Sequence, residues 1–258
     1  MSEFIKRAIT GLILVLLTIA LTLKGGKPLA IFVFLISIIG IREFYNAIDN
    51  ISLSIRPIGY IACILFFFNS LGYNMVSLNS IMAFVTISLL ILFVLKEDIK
   101  LANISITIFS ILYIPFLFQH IIYLDGNIYI WFIFITAWGT DTFAYLAGNL
   151  FGKKKLCPNL SPNKTIEGSL GGVLGSILLT ILFSKYLNLP NLWGLIILSI
   201  LGAIIAQFGD LTASKIKRIT GIKDYGFIIP GHGGILDRFD SILFTAPLVY
   251  YFVKFFIL

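Results

Sequence analysis

Charged residues are scarce in this sequence, and their scarcity limits the class of protein. Only 12% of the 258 residues are charged, whereas 59% are hydrophobic. A soluble domain has about 25% charged and about 45–50% apolar residues, so this composition excludes an ordinary soluble protein. A lipid bilayer is the solvent that suits it.

Cysteine is nearly absent as well. Cys63 lies in a hydrophobic stretch and Cys157 in a polar one. Two thiols placed in this way give neither a disulfide framework nor the ligand spacing of a zinc site. Both are compatible with plain packing roles.

Long apolar runs make up most of the chain. A membrane helix needs about 20 mostly apolar residues to cross about 30 Å of hydrocarbon. The strands of a membrane β-barrel would alternate apolar and polar residues, which the run from Ile31 to Ile39 does not. We therefore predict an all-α, polytopic helical bundle. The nine predicted membrane helices cover residues 8–23, 28–48, 57–73, 78–95, 101–123, 128–148, 168–186, 191–209 and 239–257.

The basic residues are distributed unevenly between the loops. A net charge of +7 would suggest nucleic acid in a soluble protein, but in a membrane protein the side that carries the charge is more informative. With a cytoplasmic N-terminus, fifteen of the 19 basic residues lie on the cytoplasmic side, as the positive-inside rule requires. We expect no nucleic-acid partner. Lys6 and Arg7 also fit a signal peptide, but the apolar core is long and no small-x-small cleavage site is evident before Lys24.

The two halves of the chain differ in polarity. Residues 1–123 have short loops and nearly uncharged helices, which indicates a scaffold or dimerisation region. Within it, we expect Arg42, Glu43 and Asp49 to snorkel at the cytoplasmic end of a helix. Residues 124–258 contain two polar stretches, 149–167 and 210–238, which we predict to be cytoplasmic loops of a catalytic region.

One carboxylate, Asp141, lies well inside a predicted membrane helix. An ionisable residue at such a position marks a candidate functional site, because it is expensive to bury there. Tyr145 follows four residues later and shares its helix face. The alternative interpretation of Asp141 is a buried polar contact between helices.

The stretch 149–167 contains a candidate anion site. Its sequence from Ser161 reads Ser-Pro-Asn-Lys-Thr-Ile-Glu-Gly. Thr165 is a predicted cap of the next helix, and Glu167 would complement the helix dipole. A helix N-terminus preceded by Lys164 suits an anion, although the spacing of a Walker loop is absent. The run Lys153–Lys155 can equally be a basic face that touches lipid head groups.

The stretch 210–240 has the strongest pattern. Asp210, Ser214 and Lys217 share one helix face, and Asp237 and Asp240 share another. Carboxylates from two helix ends suit Mg²⁺, which is held by one or two carboxylates plus phosphate oxygens. Glycines around His232 let backbone N–H groups approach an anion, and His232 itself can be structural or catalytic. The basic residues expected to neutralise phosphate are Lys215, Lys217, Arg218, Lys223 and Arg238.

These residues resemble the signature of the phosphatidate cytidylyltransferases, also called CDP-diacylglycerol synthases. The signature is matched without departure by Ser214, Lys217-Arg218, Lys223-Asp224, His232-Gly233-Gly234, Asp237-Arg238 and Asp240. The stretches from Asp141 to Tyr145 and from Ser161 to Gly168 are similar to upstream motifs of that family. About the last 120 residues carry the specific part of the resemblance.

The resemblance implies an enzyme that joins phosphatidic acid to CTP, giving CDP-diacylglycerol and pyrophosphate. It implies Mg²⁺ at Asp210 and Asp237, with Asp240 as a further ligand, in a membrane-embedded cavity. It also implies a homodimer. Because no organellar targeting peptide is evident, we expect a bacterial cytoplasmic membrane, and the basic loops place the site on the cytoplasmic side, where CTP is found. Whether a second, monovalent cation such as K⁺ takes part stays open.

The remaining site residues are assigned on the same basis. Lys223 and His232 join Asp210 and Asp237 as expected catalytic residues. The expected substrate-binding residues are Asp141, Ser161, Lys164, Ser214, Lys217, Arg218, Asp224, Gly233, Gly234 and Arg238.

Two other functions fit part of the pattern. A transporter would use Asp141 and Asp210 as ion carriers, but it predicts an inverted repeat between the halves, which we do not find. A CTP-dependent polyprenol kinase would share the nucleotide and the membrane. The pattern from Ser214 to Asp240 fits the phosphatidate enzymes better.

Overall fold

The computed structural model describes residues 3–72, 77–229, 231 and 233–257, with side chains from residue 9 onward. Most of them are helical, which confirms the all-α prediction. The α-helices are α1 (Glu3–Lys24), α2 (Gly26–Ile48), α3 (Arg56–Ser70), α4 (Leu78–Leu95), α5 (Leu101–Ile111), α6 (Leu117–Ile122), α7 (Trp131–Phe134), α8 (Thr140–Phe151), α9 (Ile166–Tyr186), α10 (Leu192–Thr220) and α11 (Leu236–Phe256). The strands β1 (Lys155–Cys157) and β2 (Ser161–Thr165) form one antiparallel hairpin.

Seven helical stretches of the described residues are long and apolar enough to cross a membrane. They are Gly26–Ile48, Leu78–Leu95, Leu101–Ile122, Ile128–Phe151, Ile166–Tyr186, Leu192–Thr220 and Leu236–Phe256. Each overlaps a predicted membrane helix, so the chain is a polytopic membrane protein. The other two predicted spans fall on α1 and on α3, which has 15 residues. The count of nine and the cytoplasmic N-terminus stay predictions.

Two of these stretches contain a turn of π-helix. The first, Leu112–Phe116, includes Pro115, which has no N–H to donate and disturbs the regular α-helical ladder. The second, Ile135–Gly139, ends directly before α8. A π turn adds a residue to the helix and so rotates everything that follows. The second π turn therefore sets the direction in which the side chain of Asp141 projects from α8.

The chain forms two compact units, residues 1–126 with 219–238 and residues 127–218 with 239–258. In the first unit, Gly59 of α3 packs directly on the phenol ring of Tyr45 in α2. The hydroxyl of Tyr45 accepts a hydrogen bond from Ser110 at 2.9 Å, which satisfies a polar group inside the apolar core. The predicted division of roles between residues 1–123 and 124–258 stays a prediction.

In the second unit, α8 and α9 pack at close range because glycines line their interface. A Cβ atom at Gly171 would overlap the Cβ of Ala147. A Cβ at Gly168 would lie 3.2 Å from the Cα of Gly148. Lipid tails give no hydrophobic drive for helices to associate, so such close van der Waals contact holds them together.

We expect Gly171→Val to destabilise the second unit by about 1–3 kcal/mol, the usual cost of overpacking. The helix propensities of valine and glycine differ by only a few tenths of a kcal/mol. The clash with Ala147 therefore decides whether the variant is less or more stable than wild type. Leu174→Val is the control, because Leu174 is 67% exposed on the same helix. Thermal unfolding in detergent measures both. Equal midpoints for the two variants would contradict the close packing.

Candidate functional site

Asp210 is the centre of a polar cluster in the second unit. It lies in α10, which continues to Thr220, so the first part of the predicted loop 210–238 is helical. Its carboxylate forms an ion pair with Lys164 of β2. The hydroxyl of Ser214, one turn further along α10, donates to Oδ1 of Asp210 at 3.4 Å. Three residues predicted from the sequence are therefore brought together.

Two more carboxylates of this unit, Asp240 and Asp141, belong to the same cluster. Asp240 in α11 is 9% exposed and lies within electrostatic range of Asp210, Asp141 and Lys217. The backbone N–H of Ser241 donates to Oδ1 of Asp240 at 2.8 Å, and its hydroxyl donates to Oδ2 of Asp141 at 3.2 Å. Ser241 therefore links the Asp141 and Asp240 carboxylates, a role that the sequence did not reveal.

The close approach of α10 and α11 in the second unit depends on Gly209. A Cβ there would lie 2.6 Å from the backbone oxygen of Asp240 and 3.1 Å from the Cα of Ser241. The glycine directly before Asp210 thus lets the two carboxylate-bearing helices pack backbone to backbone. Any side chain at this position would push Asp210 away from Asp240.

The hairpin β1–β2 positions Lys164. The hydroxyl of Thr165 accepts the N–H of Gly168 at 3.1 Å and caps α9, which confirms the predicted cap. Glu167 lies in the first turn of α9, as predicted, and its Oε2 also accepts the N–H groups of Lys153 and Lys154 at 3.0 and 3.2 Å. These contacts fix both ends of the hairpin against the start of α9.

Two other predicted residues of the second unit lie at the hairpin. Ser161 is half-buried at the start of β2. Arg218 is exposed, and its Nε donates to the backbone oxygen of Leu160 at 3.5 Å. The guanidinium of Arg218 therefore contacts the turn of the hairpin.

In the first unit, Asp237 organises the segment between α10 and α11. Its Oδ2 accepts the N–H of Tyr225 at 2.8 Å and that of Gly234 at 2.9 Å. Asp237 is 9% exposed, so these hydrogen bonds compensate part of the cost of burying its charge. Gly233 has a φ of +86°, and a Cβ there would lie 2.8 Å from Oδ2 of Asp237. Position 233 therefore requires glycine, both for its backbone conformation and because a Cβ atom would clash with Asp237.

The described signature residues of the first unit differ in exposure. Lys223 and Arg238 are exposed, and Asp224 is half-buried. His232 lies outside the described residues, so its predicted role stays a prediction. The N–H of Gly234, predicted to face an anionic substrate, donates to Asp237 in this structure.

The burial of Glu43 contradicts the prediction that this residue snorkels at a helix end. It is 3% exposed, and its carboxylate accepts the N–H of Ile235 at 3.0 Å and that of Leu236 at 2.9 Å. Arg42 and Asp49 are exposed as expected. The signal that could have identified Glu43 is the one used for Asp141, an ionisable residue inside an apolar span.

The polar cluster of the second unit has side chains that suit phosphate and a hard cation. Within the ranges that the structure describes, no three carboxylate, imidazole or thiol groups are arranged to hold a metal by themselves. Mg²⁺ does not require three, since it usually takes one or two carboxylates and completes its shell with water and substrate phosphate. Asp210 and Asp240 are oxygen donors of the correct type, and Lys164 and Lys217 supply positive charge next to them.

Comparison with known proteins extends the motif resemblance to nearly the whole chain. The model of the family described as "Cytidylyltransferase family" matches residues 5–256. The chain is 37% identical over 250 residues to a phosphatidate cytidylyltransferase of Staphylococcus epidermidis, which covers 94% of this chain and 96% of the relative. The proteins of the same name from Staphylococcus haemolyticus and Staphylococcus aureus are 38% and 36% identical over 252 and 251 residues, with the same coverage.

Proposed function

The chain belongs to the cytidylyltransferase family, and we propose that it transfers the cytidylyl group of CTP to phosphatidic acid. The products are CDP-diacylglycerol and pyrophosphate. The family makes the chain a membrane-bound nucleotidyltransferase that uses CTP. The match of the family model to residues 5–256 carries the proposal, and the names of the relatives supply the lipid substrate.

The chemistry of the reaction agrees with the residues in the second unit. The nucleophile is a phosphate oxygen of the lipid, which is anionic near neutral pH and needs no activating base. The difficulty is to bring two polyanions together and to stabilise charge on the α-phosphate and on pyrophosphate. Lys164 supplies positive charge beside Asp210, and Lys217 lies within electrostatic range of Asp240. In this proposal Lys164 exchanges its contact with Asp210 for a phosphate oxygen when CTP binds.

We propose Mg²⁺ at the ligands that the family resemblance implies, Asp210 and Asp237, with Asp240 as a further one. Asp210 and Asp240, which lie within electrostatic range of each other in the second unit, are oxygen donors of the type that Mg²⁺ prefers. When bound, Mg²⁺ would neutralise phosphate charge and orient the triphosphate. The protein's own part is to hold these carboxylates in place. Ser214 and Ser241 orient Asp210 and Asp240 through hydrogen bonds, and such partners of ligands commonly affect metal affinity. K⁺ as a second cation is part of the same proposal.

The membrane setting also follows from the substrates. CTP is cytosolic, so the site has to face the cytoplasm, and the basic residues of 149–167 and 210–238 agree with that side. The acyl chains of phosphatidic acid can stay in the bilayer while the head group reaches the polar cluster. We place the protein in a bacterial cytoplasmic membrane as a homodimer, on the strength of the resemblance.

The position of the radioactive label in CTP tests the proposed reaction. Purified protein in lipid–detergent micelles receives phosphatidic acid, Mg²⁺ and CTP labelled at the α- or γ-phosphate. The α-label should enter the lipid and the γ-label should leave as pyrophosphate. In a parallel reaction with a polyprenol in place of phosphatidic acid, transfer of the γ-label to the polyprenol would indicate a kinase instead. Ion flux in proteoliposomes without CTP would indicate a transporter.

A further inference from the structure

A buried carboxylate of the N-terminal region is bound to the catalytic signature. Glu43 lies in α2, 192 residues from Ile235. It accepts the N–H groups of Ile235 and Leu236, at the start of α11. All three residues belong to the first unit. A carboxylate at a helix N-terminus is stabilised by the free N–H groups and by the helix dipole.

Three successive backbone N–H groups are divided between two carboxylates. Gly234 donates to Asp237, and the next two residues, Ile235 and Leu236, donate to Glu43. Glu43 therefore holds the peptide units directly adjacent to the one that holds Asp237. If these hydrogen bonds to Glu43 are lost, the first turn of α11 is less restrained, and Asp237 can shift together with that turn.

The segment between α10 and α11 is shaped around Glu43. A Cβ at Gly226 would lie 2.6 Å from Oε1 of Glu43, and a Cβ at Gly234 would lie 2.5 Å from Oε2. Both glycines are therefore required by the carboxylate that fills the space. One turn before Glu43, Gly40 lets α2 approach the side chain of Leu236, where a Cβ would come within 3.1 Å.

We propose that Glu43 is a positioning residue for the transferase reaction, which fixes Asp237 and the signature segment 221–238 without contacting substrate. The inference rests on the proposed function. It assigns a role in the reaction to α2, which otherwise has only packing roles. A buried carboxylate without hydrogen-bond partners would be costly at this position, and Glu43 has two backbone N–H donors.

The test compares Glu43→Gln with Asp49→Asn. Glutamine keeps the volume, but its NH₂ group faces a backbone N–H where the carboxylate had an oxygen. Asp49 lies at the end of the same helix, is exposed and pairs with Arg56, so its variant controls for loss of one acidic residue. The measurements are amide hydrogen exchange of the segment 221–238, the thermal midpoint, and kcat and KM for CTP per folded enzyme.

For Glu43→Gln we expect amide exchange around residues 233–237 to accelerate about tenfold, the factor for one lost hydrogen bond. We expect kcat to fall about 10- to 100-fold, as for other residues that orient a ligand, with KM for CTP changed less. Asp49→Asn should match wild type in both. A merely stabilising residue would lower the thermal midpoint but leave kcat per folded enzyme unchanged.

Gly226→Ala is the second variant, in case Glu43→Gln does not fold. Its Cβ would displace the Glu43 carboxylate without removing it, so exchange and kcat should change in the same direction. Wild-type exchange or wild-type kcat in the folded variants overturns the positioning role. Wild-type protein without turnover contradicts the proposed function instead, and the exchange comparison then still decides whether Glu43 holds the segment.

Discussion

Replacing Asp210 with asparagine is expected to reduce the formation of CDP-diacylglycerol by about 100-fold or more. The size of this reduction follows from the several kcal/mol by which a bound metal stabilises transition-state charge, because 1.36 kcal/mol corresponds to a factor of ten in rate. Asparagine has nearly the same shape, so the packing of α10 against α11 at Gly209 should survive. Initial rates at saturating CTP and phosphatidic acid, per folded enzyme, measure the effect.

The ion pair with Lys164 supplies an internal check on Asp210. Lys164→Met alone should weaken CTP binding, because it removes a cation expected to contact phosphate. Residues that act as one unit are non-additive when both are replaced, so the double variant should be no slower than Asp210→Asn. Fully multiplied effects would mean that Lys164 and Asp210 act independently, and an active Asp210→Asn would remove Asp210 from the site.

Asp237→Asn is expected to lose turnover to a similar extent, about 100-fold or more, while the fold is retained. The amide oxygen of asparagine can still accept the N–H groups of Tyr225 and Gly234, which Oδ2 of Asp237 holds now. What disappears is the negative charge. Rates and thermal midpoints of wild type and variant measure the two effects separately.

Asp237→Ala is the matched comparison for Asp237→Asn. Alanine removes the acceptor as well as the charge, so two buried N–H groups are left without their partner, at about 1–3 kcal/mol each. The alanine variant should therefore be both inactive and less stable than the asparagine variant. Equal stability of the two would show that the hydrogen bonds of Asp237 do not hold the segment, and normal turnover of Asp237→Asn would exclude a catalytic charge.

The membrane helices could be predicted from sequence because the bilayer imposes a single local rule. Every backbone polar group must be satisfied within its own helix, so a long apolar run is sufficient evidence. The rule is weaker where a helix is short. The predicted span 57–73 falls on α3, which ends at Ser70 and has 15 residues. Length alone does not decide whether such a helix crosses.

Helix ends outside the apolar runs were harder to predict. The predicted span 191–209 ends before Asp210, because the charged residues begin there, yet α10 continues to Thr220. The sequence of this extension has no proline or glycine before Gly221, so nothing in it stops a helix. The hairpin β1–β2 was not predicted at all, since polar stretches of this length give no clear periodicity.

The site was predictable as a set of residues and not as an arrangement. Motif spacing identified Asp210, Lys164 and Asp237, but the pairing of Lys164 with Asp210 joins segments that no local pattern connects. Glu43 shows the same limit more sharply, since its partner Leu236 lies 193 residues away. Its burial depends on the position of α11, which only the folded chain defines.

The product that the purified protein forms from CTP and phosphatidic acid tests the proposed cytidylyl transfer directly. Wild type in lipid–detergent micelles should form CDP-diacylglycerol and pyrophosphate in equal amounts with Mg²⁺, and neither product after chelation. Asp49→Asn should behave as wild type and Asp210→Asn should form almost none. Folded wild-type protein that forms no CDP-diacylglycerol with Mg²⁺ and both substrates present would contradict the proposed transferase activity.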